Sequence, residues 1–166
     1  MAAGGVPVPV GLDPDHGFHL KAADVARAIT PKTRVLLLNT PSNPTGAVLT
    51  REEVKAIGDV CERHDLWIIS DEVYATMTYG NTVFASPFDE PRLDKRTILV
   101  ASLSKSHAQP GLRSGCLAAS EPFCAAALRL AQTLLVGSPA LLAWAAPFPL
   151  PTPLPAHRYA SPPADD

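Results

Sequence analysis

The chain lacks an excess of charge of either sign. Its 166 residues include 14 lysines and arginines against 16 aspartates and glutamates, which gives a formal net charge of −2. Nucleic-acid binding depends largely on basic side chains that neutralise phosphates, and the sequence has no basic stretch of that kind. We therefore expect no nucleic-acid partner, and the composition favours small-molecule metabolism.

Cysteine is scarce, and its spacing argues against two common roles. The three cysteines, Cys61, Cys116 and Cys124, form no C-x-x-C pair and leave an odd number. A disulfide framework needs paired cysteines, and a structural zinc site needs three or four converging ligands. His16 and His19 lie close together without a neighbouring cysteine, which favours a surface loop. We expect reduced thiols, a cytoplasmic location and no bound metal.

No apolar run is long enough to predict a membrane span. The longest uncharged stretch, residues 130–156, is interrupted by six prolines, whereas a spanning helix needs about 20 mostly apolar residues. Residues 144–163 contain seven prolines and almost no charge, a composition typical of extended, disordered chain. We predict a Pro-rich tail over residues 144–166, disordered or read out of frame, and no membrane segment.

Three short apolar runs are present, and each one ends in polar residues. They cover residues 35–38, 66–69 and 97–100 and are rich in Val, Ile and Leu without alternation. This pattern is typical of strands buried on both faces of a parallel sheet. In open α/β sheets, ligands bind outside the carboxyl ends of the strands. The polar residues expected to meet at that edge are Asn43, Asp71, Tyr74, Ser102 and Lys105.

Helical patterns separate these runs. Thr50 and Glu53 have the spacing of a capping box, and an apolar stripe of Val54, Ile57 and Cys61 follows it. The strand–helix–strand order predicts a βαβ unit with a right-handed crossover. Weaker patterns predict strands at residues 6–12 and 117–119 and helices at residues 21–29 and 121–135. Together they predict an α/β fold, with a mostly parallel sheet and helices on both faces, over residues 1–143.

Three segments carry a resemblance to a known family. Residues 41–46 read P-S-N-P-T-G, which resembles the P-x-N-P-T-G signature of the class I/II aminotransferases, fold type I enzymes that use pyridoxal phosphate. Residues 71–74 read D-E-V-Y, as in a second family segment. Residues 102–108 and 110–115, S-L-S-K-S-H-A and P-G-L-R-S-G, are similar to the family's lysine-attachment motif. Three motifs in this order and spacing are far more specific than any one alone.

The resemblance implies roles for the matching residues around the cofactor ring. Lys105 would form the Schiff base with pyridoxal 5'-phosphate, and Asp71 would pair with the pyridine nitrogen. Asn43 and Tyr74 would hydrogen-bond the phenolic oxygen. A carboxylate beside the pyridine nitrogen favours its protonated form, which makes the ring an electron sink. A lysine in this position would also carry the proton between the substrate α-carbon and the cofactor.

The resemblance further implies that Ser102 and Arg113 hold the cofactor phosphate. A planar guanidinium suits a phosphate dianion because it gives charge-assisted, often bidentate contacts. The S-x-x-K spacing of Ser102 and Lys105 also fits penicillin-binding serine acyltransferases, with Ser102 as the nucleophile. That second family needs S-D-N and K-T-G elements, and neither occurs in the sequence.

The resemblance implies amino-group transfer between an amino acid and a 2-oxo acid. It also implies that the intact protein is a homodimer. The resemblance covers roughly residues 4–143, the middle portion of a family subunit. The family's glycine-rich phosphate loop, stacking aromatic residue and carboxylate-binding arginine are not found. We therefore expect a truncated aminotransferase. The alternatives are a catalytically inactive fragment or pseudoenzyme, and another pyridoxal-phosphate reaction such as that of a C–S lyase.

Overall fold

The sequence forms a mixed α/β fold in the computed structural model, which describes residues 4–134. The four strands are Val35–Asn39 (β1), Trp67–Asp71 (β2), Thr97–Ser102 (β3) and Gly115–Ala118 (β4). They form one sheet in the order β1-β2-β3-β4, in which the first three strands are parallel and β4 is antiparallel to β3. The mostly parallel sheet is confirmed. The predicted tail, residues 144–166, lies outside the described residues.

The helices follow the predicted order. They are Ala22–Ala28 (α1), Arg51–Arg63 (α2), Leu103–Ser106 (α3) and Glu121–Leu134 (α4). The weaker patterns for α1, α4 and β4 are confirmed with small shifts in their bounds. Among the helices of the described residues, none has the length and apolar character that crossing a membrane would require.

Helix α2 begins at the predicted cap. The Thr50 hydroxyl accepts the Glu53 amide at 3.2 Å, and the Glu53 carboxylate accepts the Thr50 amide at 2.7 Å. Each bond satisfies a backbone donor that the helix itself leaves without a partner. The buried core between α2 and the strands includes the predicted stripe: Leu38, Val54, Ile57, Cys61, Leu66 and Ile68. Since α2 connects two parallel neighbouring strands, the predicted βαβ unit is confirmed.

The two faces of the sheet are covered unequally. Residues alternate along each strand, so that Leu38 and Ile68 are buried under α2, whereas Leu37 on the other face is 68% exposed. Helix α4 reaches this second face through Phe123, whose ring centroid lies 5.6 Å from that of Trp67. The expectation that all three runs are buried on both faces is therefore wrong, because within residues 4–134 the second face is only partly covered.

The predicted strand at residues 6–12 is also wrong. This segment has no regular secondary structure and no strand pairing, and its Val6 side chain is 85% exposed. The reason is chemical: Pro7 and Pro9 have no amide hydrogen to donate to a neighbouring strand. The alternating valines mimic a strand pattern, but the prolines between them prevent the hydrogen-bond ladder.

The two neighbouring histidines have separate partners. His16 contacts the Asp13 carboxylate within its own turn, and the His19 ring nitrogen lies 2.8 Å from the Glu53 carboxylate of α2. Partial burial opposes the charge on Glu53, but the hydrogen bonds from Thr50 and His19 outweigh it and lower the pKa of Glu53. His19 thus ties the N-terminal segment to the cap of α2.

Candidate functional site

Polar residues from three strands meet at one edge of the sheet. Asn39 is paired in register with Asp71, and Asp71 is paired with Val100, two residues before Ser102. These positions are the carboxyl ends of the three parallel strands. The sheet thus places Asp71 and Ser102 at the edge where ligands of open α/β sheets bind.

Lys105 and Tyr74 are in contact across this edge. The Lys105 amine lies 5.6 Å from the centre of the Tyr74 ring, a cation–π distance. Tyr74 comes three residues after the end of β2, and Lys105 belongs to the short helix α3 that follows β3. Among the described residues, 4–134, the exposed Lys105 amine has neither an ion pair nor a hydrogen bond to the protein.

Ser102 fixes the helix that carries Lys105. Its hydroxyl oxygen accepts the Ser104 amide at 3.1 Å and donates to the Ser114 carbonyl at 3.1 Å. The Ser106 hydroxyl in turn donates to the Ser102 carbonyl at 3.0 Å. A hydroxyl has one proton, so Ser102 must release Ser114 before it can donate to a phosphate.

The Asp71 carboxylate keeps capacity for a positively charged partner. One of its oxygens accepts the Val73 amide at 3.2 Å, and in the described part of the chain it forms no salt bridge. A carboxylate can accept about four hydrogen bonds in total. Asp71 is half-buried at the end of β2, where solvent screens its charge less than at a free surface.

Asn43 and Arg113 are exposed residues in the loops that follow β1 and precede β4. The Asn43 amide donates to the Asn39 side-chain oxygen at 2.7 Å, and the Asn43–Pro44 peptide bond is cis. Arg113 has a left-handed backbone with φ 53°, and its guanidinium donates to the Pro110 carbonyl of its own loop at 2.9 Å. This contact does not join Arg113 to another predicted site residue. Asn39, which contacts the Asn43 turn, was not among the predicted site residues, although its polar side chain at a strand end was a usable signal.

Gly115 is the first residue of β4 and lies close to the backbone of β3 beside this site. A side-chain carbon added at Gly115 would be 2.6 Å from the Ala101 carbonyl oxygen, too close for the backbone to tolerate. Gly115 is the register partner of Ser102. We expect Gly115→Ala to lower the free energy of unfolding by about 1–3 kcal/mol, as overpacking does, in urea unfolding followed by circular dichroism.

Gly111→Ala is the matched control for that substitution. An added side-chain carbon at Gly111 meets no atom within 4 Å. We expect its free energy of unfolding to stay within about 0.5 kcal/mol of the parent. Equal stabilities of the two alanine variants would show that β4 does not approach β3 as closely as the structure places it.

Glu72, next to Asp71, is a buried acid. The Ser86 hydroxyl donates to its carboxylate at 2.6 Å. Desolvation raises the pKa of Glu72; the hydrogen bond from Ser86 opposes the increase, whereas the negative charges of Asp89 and Asp71 add to it. A raised folded-state pKa gives stability that is fully present below the unfolded-state pKa. That contribution is lost as pH rises through the folded-state pKa.

We therefore expect Glu72→Gln to become progressively more stable than the parent as pH rises from acidic to neutral. Glutamine keeps an oxygen that accepts from Ser86 and carries no charge. Urea unfolding at a series of pH values measures the effect, and Glu52→Gln on the exposed side of α2 is the control. A difference between Glu72→Gln and parent that does not change with pH would contradict the burial of an ionised Glu72.

Comparison with known proteins identifies the family. The sequence model described as aminotransferase class I and II matches residues 1–148. The chain belongs to the class I and II aminotransferase family. An arginine–pyruvate transaminase of Pseudomonas aeruginosa is 42% identical over 154 residues, which are 93% of this chain and 39% of that protein. An aspartate aminotransferase of Bacillus subtilis is 43% identical over 132 residues, 78% of this chain and 33% of that protein.

Solved aminotransferase structures share the fold. A double mutant of Thermus thermophilus aspartate aminotransferase superposes with a TM-score of 0.80 at 33% identity, over 87% of this chain and 37% of that one. An aromatic aminotransferase of Pyrococcus horikoshii gives 0.70 at 41% identity, over 71% of this chain and 32% of that one. The chain thus spans less than two-fifths of the length of these relatives.

The residues at the sheet edge suit the pyridoxal phosphate on which this aminotransferase family generally depends. The Lys105 amine, which contacts the Tyr74 ring, matches the need for an amine that can condense with an aldehyde. The Asp71 carboxylate, with one backbone donor, matches a protonated ring nitrogen. The donor set therefore fits the cofactor, while the role of each residue remains a prediction.

Proposed function

We propose that this chain is part of a pyridoxal-phosphate-dependent aminotransferase, with Lys105 as the residue that binds the cofactor covalently. One observation carries the proposal: the Lys105 amine lies against the Tyr74 ring at 5.6 Å, beside the strand end that bears Asp71. Residues from two separate motifs are thus in contact in the fold. The substrates proposed are an amino acid and a 2-oxo acid, the class to which the relatives' names refer.

The chain's own residues divide the work around the cofactor, which supplies the electron sink. Asp71 would keep the ring nitrogen protonated, while Asn43 and Tyr74 would donate to the phenolic oxygen. Lys105 would serve as the base that moves a proton at the substrate α-carbon. Two further residues, Ser102 and Arg113, would hold the phosphate.

A catalytically inactive fragment is the second candidate. The chain covers 39% and 33% of two of its relatives, so more than half of each of those proteins has no counterpart in these 166 residues. Another pyridoxal-phosphate reaction, such as that of a C–S lyase, would use the same motif residues. We propose a homodimer for the intact protein. The three cysteines of this chain are free thiols, which supports our proposal of a reducing compartment such as the cytoplasm.

Cofactor fixation tests the proposed function. The purified chain is incubated with pyridoxal 5'-phosphate, reduced with borohydride, and mapped by peptide mass spectrometry. We expect the cofactor on the peptide that contains Lys105. Fixation spread over all five lysines alike would contradict the proposal. Labelling of Ser102 by a β-lactam, with no cofactor fixed at Lys105, would instead favour a serine acyltransferase.

Turnover is measured separately, with a panel of amino acids and either pyruvate or 2-oxoglutarate as acceptor. We expect cofactor fixation with weak affinity and no amino transfer from this chain alone, which would support the inactive-fragment candidate. Measurable transfer would show that these 166 residues are sufficient for catalysis. Release of a sulfur-containing product from cysteine or cystathionine would favour the C–S lyase.

A further inference from the structure

Asn39 joins two parts of the proposed site that come from separate segments. It is the last residue of β1, and its side-chain oxygen accepts the Asn43 backbone amide at 2.7 Å. Its side-chain nitrogen lies 3.5 Å from the Asp71 carbonyl, a long hydrogen bond. The side chain therefore connects the turn that bears Asn43 to the strand end that bears Asp71.

The orientation of the Asn39 amide follows from its two neighbours. Reversing it would place a donor against the Asn43 amide, which is itself a donor, and an acceptor against the Asp71 carbonyl. Only one orientation satisfies both. The shorter bond, to Asn43, is the stronger of the two.

The other hydrogen bonds of the turn after β1 are mainly between residues of the turn itself. The Gly46 amide donates to the Ser42 carbonyl at 2.8 Å, and the Ser42 amide donates to the Ala47 carbonyl at 2.9 Å. At its base, the Thr40 hydroxyl accepts the buried Leu49 amide at 3.2 Å. The Asn39 bond is thus the contact that ties the middle of the turn to the sheet edge.

We infer that Asn39 is a positioning residue that holds Asn43 in place for the phenolic oxygen of the cofactor. The inference rests on the proposed function, since it assigns a use to the Asn43 side chain at that site. Asn39 itself touches no cofactor atom in this scheme. It acts through the backbone of Asn43, and losing it leaves the Asn43 side chain present but less well placed.

Hydrogen exchange of the Asn43 amide tests the contact in the chain without cofactor. We expect Asn39→Ala to speed exchange by about 2- to 10-fold, the range for loss of one hydrogen bond, and Asn39→Asp to keep it slow because a carboxylate still accepts. Leu37→Ala, two residues earlier on the exposed face of the same strand, is the control. Equal exchange in Asn39→Ala and Leu37→Ala would overturn the inference.

A double-mutant cycle with cofactor tests the consequence. We expect Asn39→Ala to weaken cofactor affinity by about 2- to 10-fold, and to add no further loss in an Asn43→Ala background. The pH midpoint of the bound cofactor's visible absorbance should rise in both single variants. The Asn43 side chain is proposed to donate to the phenolic oxygen, and such a hydrogen bond stabilises the unprotonated form of the bound cofactor. A purely structural role would give additive losses and an unmoved midpoint, which would overturn the inference.

The two possible failures have different signatures. If the parent chain takes up no cofactor at Lys105, the proposed function fails, and the role of Asn39 toward the cofactor fails with it. If the parent takes up cofactor and Asn39→Ala equals it in affinity and in absorbance midpoint, the proposed function stands and Asn39 has no positioning role.

Discussion

Replacing Lys105 by arginine is expected to abolish borohydride fixation of pyridoxal phosphate at this position. Arginine keeps a positive charge near the Tyr74 ring, so it can also form a cation–π contact with that ring. Its guanidinium, however, stays protonated in proteins and has no free amine to attack an aldehyde. The change therefore removes the nucleophile while leaving most of the local electrostatics. Intact mass and peptide mapping after reduction measure the loss.

Lys95→Arg is the matched control. Lys95 is exposed next to the opposite, amino-terminal end of β3, away from the edge that bears Asp71. Fixation at Lys105 in this variant should equal that of the parent. An undiminished total label in Lys105→Arg would mean that the cofactor reacts with surface amines without preference, and the assignment of Lys105 would fail.

The sequence was most informative where local chemistry decides the structure. The capping box of Thr50 and Glu53 and the stripe that includes Ile57 depend on residues three to seven apart, and both appear as predicted. The order of strands and helices likewise follows from short patterns. Since parallel strands end at one edge, the placement of Asp71 and Ser102 at the same edge of the sheet could be predicted from the strand order alone.

Burial could not be predicted from the same runs. Leu36 and Leu37 read alike as apolar residues of a strand, yet Leu36 packs against the core and Leu37 is largely exposed. Which face is covered depends on elements distant in sequence, and within residues 4–134 one face has little above it. The strand predicted at residues 6–12 was wrong for another reason. The valines alternate as in a strand, but the prolines between them have no amide hydrogen to donate to a neighbouring strand.

The sequence indicated which residue types form the candidate site, and it could not indicate their contacts. No sequence pattern shows that the Ser102 hydroxyl is already engaged by Ser104 and Ser114, or that Asn39 accepts the Asn43 amide. Both depend on how a turn folds back on a strand end. Such contacts decide how firmly the predicted residues are held.

Replacing Ile57 by alanine is expected to lower the free energy of unfolding by about 2–5 kcal/mol, the usual cost of removing a large core side chain. Ile57 is 1% exposed and belongs to the core cluster that joins α2 to Leu38 and Ile68. Since native domains have about 5–15 kcal/mol of stability in total, this loss is a large fraction. Urea unfolding followed by far-ultraviolet circular dichroism measures it.

The core around Ile57 also supports the strands that lead to the candidate site. Helix α2 packs on the same two strands, β1 and β2, whose carboxyl ends carry Asn39 and Asp71. Lys55→Ala on the exposed side of α2 is the control, and it should change stability by no more than about 0.5 kcal/mol. If Ile57→Ala were no less stable than Lys55→Ala, α2 would not form the core that holds these strand ends. We expect the folded Ile57→Ala variant to take up cofactor at Lys105 as the parent does. Fixation should fall below that of the parent only at urea concentrations at which the variant is unfolded and the parent is still folded.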